Sequence, residues 1–224
     1  MNELLFFFHI FIIVCLLLIS FRMGKLFLIC TIAFQGVLAN LFVIQQIELF
    51  HYTVTSSDVF SVGSLLGLYL VQEYFGEKAS HEAIFLTFFL LLFFLIMSYI
   101  HVGYVPSILD NTQSSFLTIF SSAPRIILAS MISFCLMQKF SLFFYKLLKK
   151  NTSFQGKMFI TLIGSQLFDT FLFTFLGLYG IIASIGNVLF LSSLVKILTI
   201  AASQLSLFLI KKSLSPGVHE NLPI

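Results

Sequence analysis

The chain has 224 residues, of which 59% are hydrophobic and only 9% charged, where a soluble domain carries about 25% charged residues. So few charges, with a mean hydropathy of +1.07, exclude a soluble enzyme, because most of the surface has to face lipid. The net charge of +3 is small and the basic residues fall in loops rather than on one stripe, which argues against a nucleic-acid-binding surface.

The first apolar run, 4–20, has no basic residue ahead of it and no small-residue cleavage site behind it; Arg22 and Lys25 come afterwards. It reads as a retained span rather than a signal peptide. Further runs at 26–47, 58–75, 83–100, 116–144, 158–179 and 186–210 are each close to the roughly 20 residues a helix needs to cross about 30 Å of hydrocarbon. Seven helices are expected. The third is diluted by Ser61, Gly63, Ser64 and Gly67, and is the candidate for a bent or partly re-entrant segment. Cys15, Cys30 and Cys135 lie inside apolar runs without Cys-x-x-Cys spacing and read as small apolar filler, not as a disulfide framework or thiolate metal site.

Loop charge tests this count independently. Arg22 and Lys25 follow helix one, Lys78 follows helix three, Lys146, Lys149, Lys150 and Lys157 follow helix five, and Lys211 and Lys212 follow helix seven. The intervening loops 48–57, 101–115 and 180–185 hold no Lys or Arg, only Glu48 and Asp110. The expectation is an all-α polytopic transmembrane bundle forming one domain, with its N-terminus outside and its C-terminus inside.

A charge near the bilayer centre costs about 2.5–3.5 kcal/mol on insertion scales, so each needs a reason. Four stand out: Glu73 near the inner end of helix three, Arg125 in helix five, Asp169 in helix six and Lys196 in helix seven. A rise of 1.5 Å per residue puts Asp169 roughly 16 Å from the inner face and Lys196 roughly 15 Å from the outer face, both near mid-membrane on consecutive antiparallel helices. They can pair, either as a bridge that only fixes helix register or as part of a ligand- or ion-binding site. Arg125 follows Pro124 and is either held below the outer interface or snorkels to it. Glu73 precedes the helix terminator Gly76 and could equally be an interfacial carboxylate facing Lys78. Gln35, Asn40, Gln166, Asn187 and Gln204 add amides at membrane depth. Gly63 and Gly67 have the small-x-x-x-small spacing that suits close helix packing, and the 30 Phe residues read mainly as lipid-facing bulk.

Catalytic motifs are missing. His81-Glu82 begins a zincin-like pattern, but Phe85 stands where the second His has to be. Gly156-Lys157 lacks the remainder of a phosphate-binding loop, and His9, His51, His101 and His219 are scattered singly. Neither enzymatic activity nor a cofactor or metal is expected.

Four stretches carry a family resemblance: 37–50 (VLANLFVIQQIELF), 72–79 (QEYFGEKA), 124–130 (PRIILAS) and 164–170 (GSQLFDT). In this order, over nearly the whole chain, they resemble the YhhQ-type queuosine precursor transporters, the vitamin uptake transporter family, and Lys196 falls where that family carries a Lys in its last helix. The resemblance implies a bacterial inner-membrane importer of 7-deazaguanine bases (7-cyano- or 7-aminomethyl-7-deazaguanine, or queuine), used in queuosine biosynthesis or salvage for tRNA modification. It implies a six-helix core to which 4–20 is an additional N-terminal helix, and matches Asn40, Glu73, Arg125, Gln166, Asp169 and Lys196 to the family's polar, substrate-binding positions. Two departures lie at the cytoplasmic end: the family's Glu-x-Tyr-Gly-Lys reads Glu73-Tyr-Phe75-Gly-Glu77 here, and Lys139 follows Gln138 where many members have acidic or His residues.

The base chemistry agrees with that site. A 7-deazaguanine edge shows N–H donors and a carbonyl, so a carboxylate such as Asp169 can accept from N1–H and the 2-amino group while Gln166 or Asn40 serves the carbonyl. A second reading is a substrate-binding membrane subunit working with an energising ATPase complex, since the chain has no nucleotide site of its own. A third, an intramembrane lipid-modifying enzyme, lacks the paired aspartates or His cluster it would need.

Overall fold

The computed structural model describes residues 1–43, 45–55, 57–120, 124–148, 154–179 and 185–213. The protein is a bundle of apolar helices, as expected for a polytopic membrane protein. Helix α1 (Asn2–Met23) and helix α2 (Lys25–Phe42) are joined by Gly24 alone, at φ 111° and ψ 176°, a conformation essentially confined to glycine. The two helices run antiparallel, with the hydroxyls of Ser20 and Thr31 in a 2.7 Å hydrogen bond.

Helix α2 ends earlier than the apolar run suggested, and the chain beyond it forms an antiparallel hairpin of β1 (Gln46–Leu49) and β2 (Tyr52–Thr55). The reason is local: the segment is rich in strand-favouring Ile, Tyr, Val and Thr, and Phe50 and His51 both take positive φ, as a two-residue hairpin loop requires. The hairpin is tied to the start of α1. Asn2 Nδ2 donates to the Glu48 carbonyl at 2.8 Å, the Phe50 amide donates to Glu3 Oε1 at 3.2 Å, and Leu49 is buried.

Helix α3 (Ser57–Val102) contains the expected third and fourth spans, bent at Gly76, whose φ of 83° and ψ of 178° match the conformation at Gly24. Its first arm is continuous rather than re-entrant, and every residue from Ser57 to Val71 is buried. This arm touches α1, α2, α5, α6 and α7. Protein rather than lipid surrounds it, which is why it tolerates Asp58, Ser61 and Ser64. Gly63 and Gly67 permit the approach: a Cβ on Gly63 would run into Gln35 Oε1 and meet Ile13 Cγ2 at 2.6 Å, and one on Gly67 would meet Ile32 Cγ1 at 2.6 Å. The packing reading of this motif is correct.

The described residues of the expected fifth span lie in two helices, on either side of 121–123. Helix α4 (Gln113–Phe120) is a short exposed helix resting on the second arm of α3 through Phe94–Phe120 and His101–Phe116 ring contacts, and helix α5 (Pro124–Leu147) starts at Pro124. Proline has no N–H and a fixed φ, which suits the first turn of a helix. Helix α6 (Phe154–Phe173) runs into a π-helical turn (Thr174–Leu178), together filling the expected sixth span, and helix α7 (Ile185–Ser213) is the seventh.

One end of the bundle gathers Gly24, Gly76, the Lys25–Glu82 ion pair at 2.7 Å and the Glu77–Lys146 ion pair. The hairpin and the start of α1 lie at the other.

Candidate functional site

Helices α6 and α7 bring Asp169 and Lys196 together as their antiparallel order suggested: Lys196 Nζ donates to Asp169 Oδ2 at 2.5 Å. A third charge joins them. Asp58 Oδ1, in the first turn of α3, lies 3.7 Å from the same ammonium, and the three side chains are 7%, 13% and 10% exposed for Lys196, Asp169 and Asp58. Removal of such groups from water costs several kcal/mol per ion, offset only by close pairing. Asp58 also faces the positive end of the α3 dipole, which favours a carboxylate there.

Sequence reading missed Asp58 as part of the site because it opens an apolar run and looks interfacial. The signal lay in its spacing: Asp58, Ser61 and Ser64 recur at three-residue intervals along one face of the least hydrophobic span. The trio consequently lies near the start of α3 rather than midway along it. Phe60, one turn in, packs edge-on against His9 of α1 at 4.7 Å between ring centroids, so α3 begins below the N-terminal end of α1.

Gln166 stands one turn before Asp169 and donates from Nε2 to Ser61 Oγ at 3.3 Å, one turn beyond Asp58 on α3. Gln138 of α5 repeats the arrangement, donating to Ser64 Oγ at 3.2 Å. Lower on the same arm, buried Tyr69 is 3.5 Å from Ser165 Oγ and stacks on Tyr145, with ring centroids 5.3 Å apart and planes inclined by 15°. A polar lane therefore descends α3 between α5 and α6, inside an otherwise apolar core.

Of the six expected site residues, three meet here: Gln166, Asp169 and Lys196. Glu73 lies at the far end of the lane, where it is exposed and accepts a 2.7 Å hydrogen bond from Tyr145 Oη, with Lys157 over the Tyr145 ring at 5.8 Å. Its partner is thus Tyr145 of α5 rather than Lys78. Next to it the Glu77–Lys146 pair gives the acidic departure at position 77 a basic partner on α5. Asn40 is apart from the trio. Its Nδ2 donates to the Gly36 carbonyl of its own helix at 3.0 Å, and its side chain lines a separate cleft with Leu91, Phe94, Ser98, Ile119 and Met131. Arg125 is in the first turn of α5, and its side chain lies outside the described residues, as do those of Asn187 and Gln204.

The site can therefore present two carboxyls, an ammonium and buried amides to a small polar molecule in a dry, helix-walled setting. Among the described residues no group of His, Cys, Asp and Glu is arranged to hold a metal ion.

Residues 59–210, from the first arm of α3 to α7, match the family model described as "Putative vitamin uptake transporter". The chain is also 30% identical over 185 residues to the "Probable queuosine precursor transporter" of Bacillus subtilis (strain 168), an alignment covering 80% of this chain and 81% of that protein. No solved structure matches it.

Proposed function

The chain belongs to the vitamin uptake transporter family, and from that membership and the buried ionic lane we propose that it imports queuosine precursors, 7-deazaguanine bases, across the bacterial inner membrane. The observation that carries the reading is the Asp58–Lys196–Asp169 trio with Gln166 one turn below, held in the core of a membrane bundle. Intramembrane ionisable groups that face the bundle interior commonly mark a substrate pathway. A 7-deazaguanine base supplies what the trio and its amide lack, which is a row of N–H donors. Asp169 accepts from N1–H and the 2-amino group, and Gln166 completes the contact along the base edge. A ligand without the 2-amino group leaves an acceptor unpaired, at a cost of about 1–3 kcal/mol.

The polar lane then gives the route. Outside entry brings the base past the hairpin to the trio, and the inner end is closed by Glu73–Tyr145 and Glu77–Lys146, which tie the α3 bend to the end of α5. We place that end in the cytoplasm because Arg22, Lys25, Lys78, Lys146 and Lys157 gather at its helix ends and at the α3 bend. The whole chain acts as one transport unit, with α1 contributing Ile10, Ile13, Val14 and Leu17 to the common core.

The test is uptake of labelled 7-deazaguanine base into vesicles that contain this protein alone, with queuosine content of tRNA as the cellular readout in a strain relying on it. Accumulation above protein-free vesicles is expected. No uptake of any such base, by well-inserted protein, would overturn the reading.

A further inference from the structure

The trio sets two carboxyls against one ammonium, and the excess of acceptors continues below it. Gln166 Oε1 and Gln138 Oε1 have no hydrogen-bond partner, on side chains only 1% and 0% exposed, although each amide nitrogen is anchored on a serine of α3. Asp58, Ser61 and Ser64 stand one turn apart in succession, so the carboxyl pair and both unpartnered carbonyls follow a single lane. Buried acceptors without donors are costly, and a lane of them matches a ligand rich in N–H groups.

The two carboxyls are not equivalent. Asp169 takes Lys196 at hydrogen-bond distance, whereas Asp58 stays at 3.7 Å, within reach of the charge but beyond a hydrogen bond. Asp58 is therefore the carboxyl with the more accepting capacity to spare. It is also the one set at a helix N-terminus, where a carboxylate is favoured without a bonded cation.

Resting on the transport reading above, we propose that Asp58 selects substrates that carry a positively charged amine. The ammonium of a 7-aminomethyl-7-deazaguanine lies against Asp58, and the N–H edge of its base lies against Asp169 and the Gln166 oxygen one turn below, with the Gln138 oxygen a turn further on. A primary ammonium brings three donors and the charge that the trio lacks. A 7-cyano substituent brings only an acceptor, and leaves Asp58 facing a group that repels it.

The experiment is uptake of labelled 7-aminomethyl-7-deazaguanine by cells that depend on the full chain, competed by the unlabelled amine or by unlabelled 7-cyano-7-deazaguanine. Wild type should need about tenfold or more of the cyano base for the same inhibition, the ratio that one charge-assisted hydrogen bond supplies. Asp58→Asn should shrink that ratio to within about threefold of unity. Equal ranking of the two bases by wild type overturns the proposal, and so does an unchanged ratio in Asp58→Asn. Equal loss of both bases in Asp58→Asn at normal membrane abundance overturns it as well, since Asp58 would then serve coupling or the fold. If Asp58→Asn fails to reach the membrane, the wild-type ratio decides. Uptake of neither base by wild type would instead remove the transport reading itself, so the two failures are distinguishable.

Discussion

Lys196 holds Asp169 at 2.5 Å, nitrogen to oxygen, across the α6–α7 interface, and the contact links the two helices in the dry interior of the bundle. Loss of one partner from such a pair leaves a buried charge uncompensated, typically at about 3–5 kcal/mol. Asp169→Asn and Lys196→Met should each be severe in uptake, and Lys196→Met the worse of the two in membrane abundance, because it strands both carboxyls, whereas in Asp169→Asn Asp58 still stands 3.7 Å from Lys196. The variant that combines both changes with Asp58→Asn, so that no buried charge is stranded, discriminates between roles. It should recover membrane abundance while uptake stays at background, and recovery of uptake would reduce the pair to a register-fixing bridge.

Close packing around α3 makes its glycines sensitive. A methyl on Gly67 would press on Ile32 Cγ1 at 2.6 Å and Leu17 Cδ2 at 2.9 Å, so Gly67→Ala should destabilise by about 1–3 kcal/mol, the usual cost of an overpacked core. Thermal unfolding in detergent measures it. Gly186→Ala, whose new methyl would meet nothing within 4 Å, is the control and should shift far less.

Asp110 orders the start of α4. Its carboxylate accepts from Thr112 Oγ1 at 2.6 Å, from the Thr112 amide at 3.1 Å and from the Gln113 amide at 3.1 Å. The Thr112 hydroxyl, the first of these contacts, is the main cause holding its carboxyl below the usual aspartate range. A group depressed in the folded state contributes order above its unfolded value and loses it as pH falls through the folded one. Hydrogen-exchange protection at Gln113–Phe116, taken against the intrinsic rate at each pH, should therefore hold at neutral pH and be lost only below the ordinary carboxylate range. Asp110→Ala should lack it at every pH, and protection equal to wild type would show that the cap is dispensable.

Membrane orientation follows from the loop charges and can be read chemically. In a background without Cys15, Cys30 and Cys135, Ser107→Cys should react with an impermeant thiol reagent added outside intact cells, and Lys78→Cys should react only after permeabilisation. The reverse pattern would invert the proposed direction of entry.

The amino-acid sequence by itself determined the membrane setting, the spans and their alternation, because lipid demands long apolar helices and basic loops mark one side of them regardless of how the helices pack. It also determined the Asp169–Lys196 pairing, since consecutive antiparallel spans put the two charges at similar depth. Only the tertiary structure decided which other residues join them. Asp58 reads as a boundary residue until α3 is seen to start inside the bundle, beneath a hairpin that had read as the last residues of α2 and a loop. Asn40 and Glu73 read as members of one polar set, yet α2 carries Asn40 to a different cleft and the length of α3 carries Glu73 to the opposite end of the lane. The physical reason is that hydropathy reports depth along one helix, whereas a site is made by rotation and offset between helices. Those are set by contacts such as Gly63 on Gln35 and Gly67 on Ile32, which join residues distant in sequence.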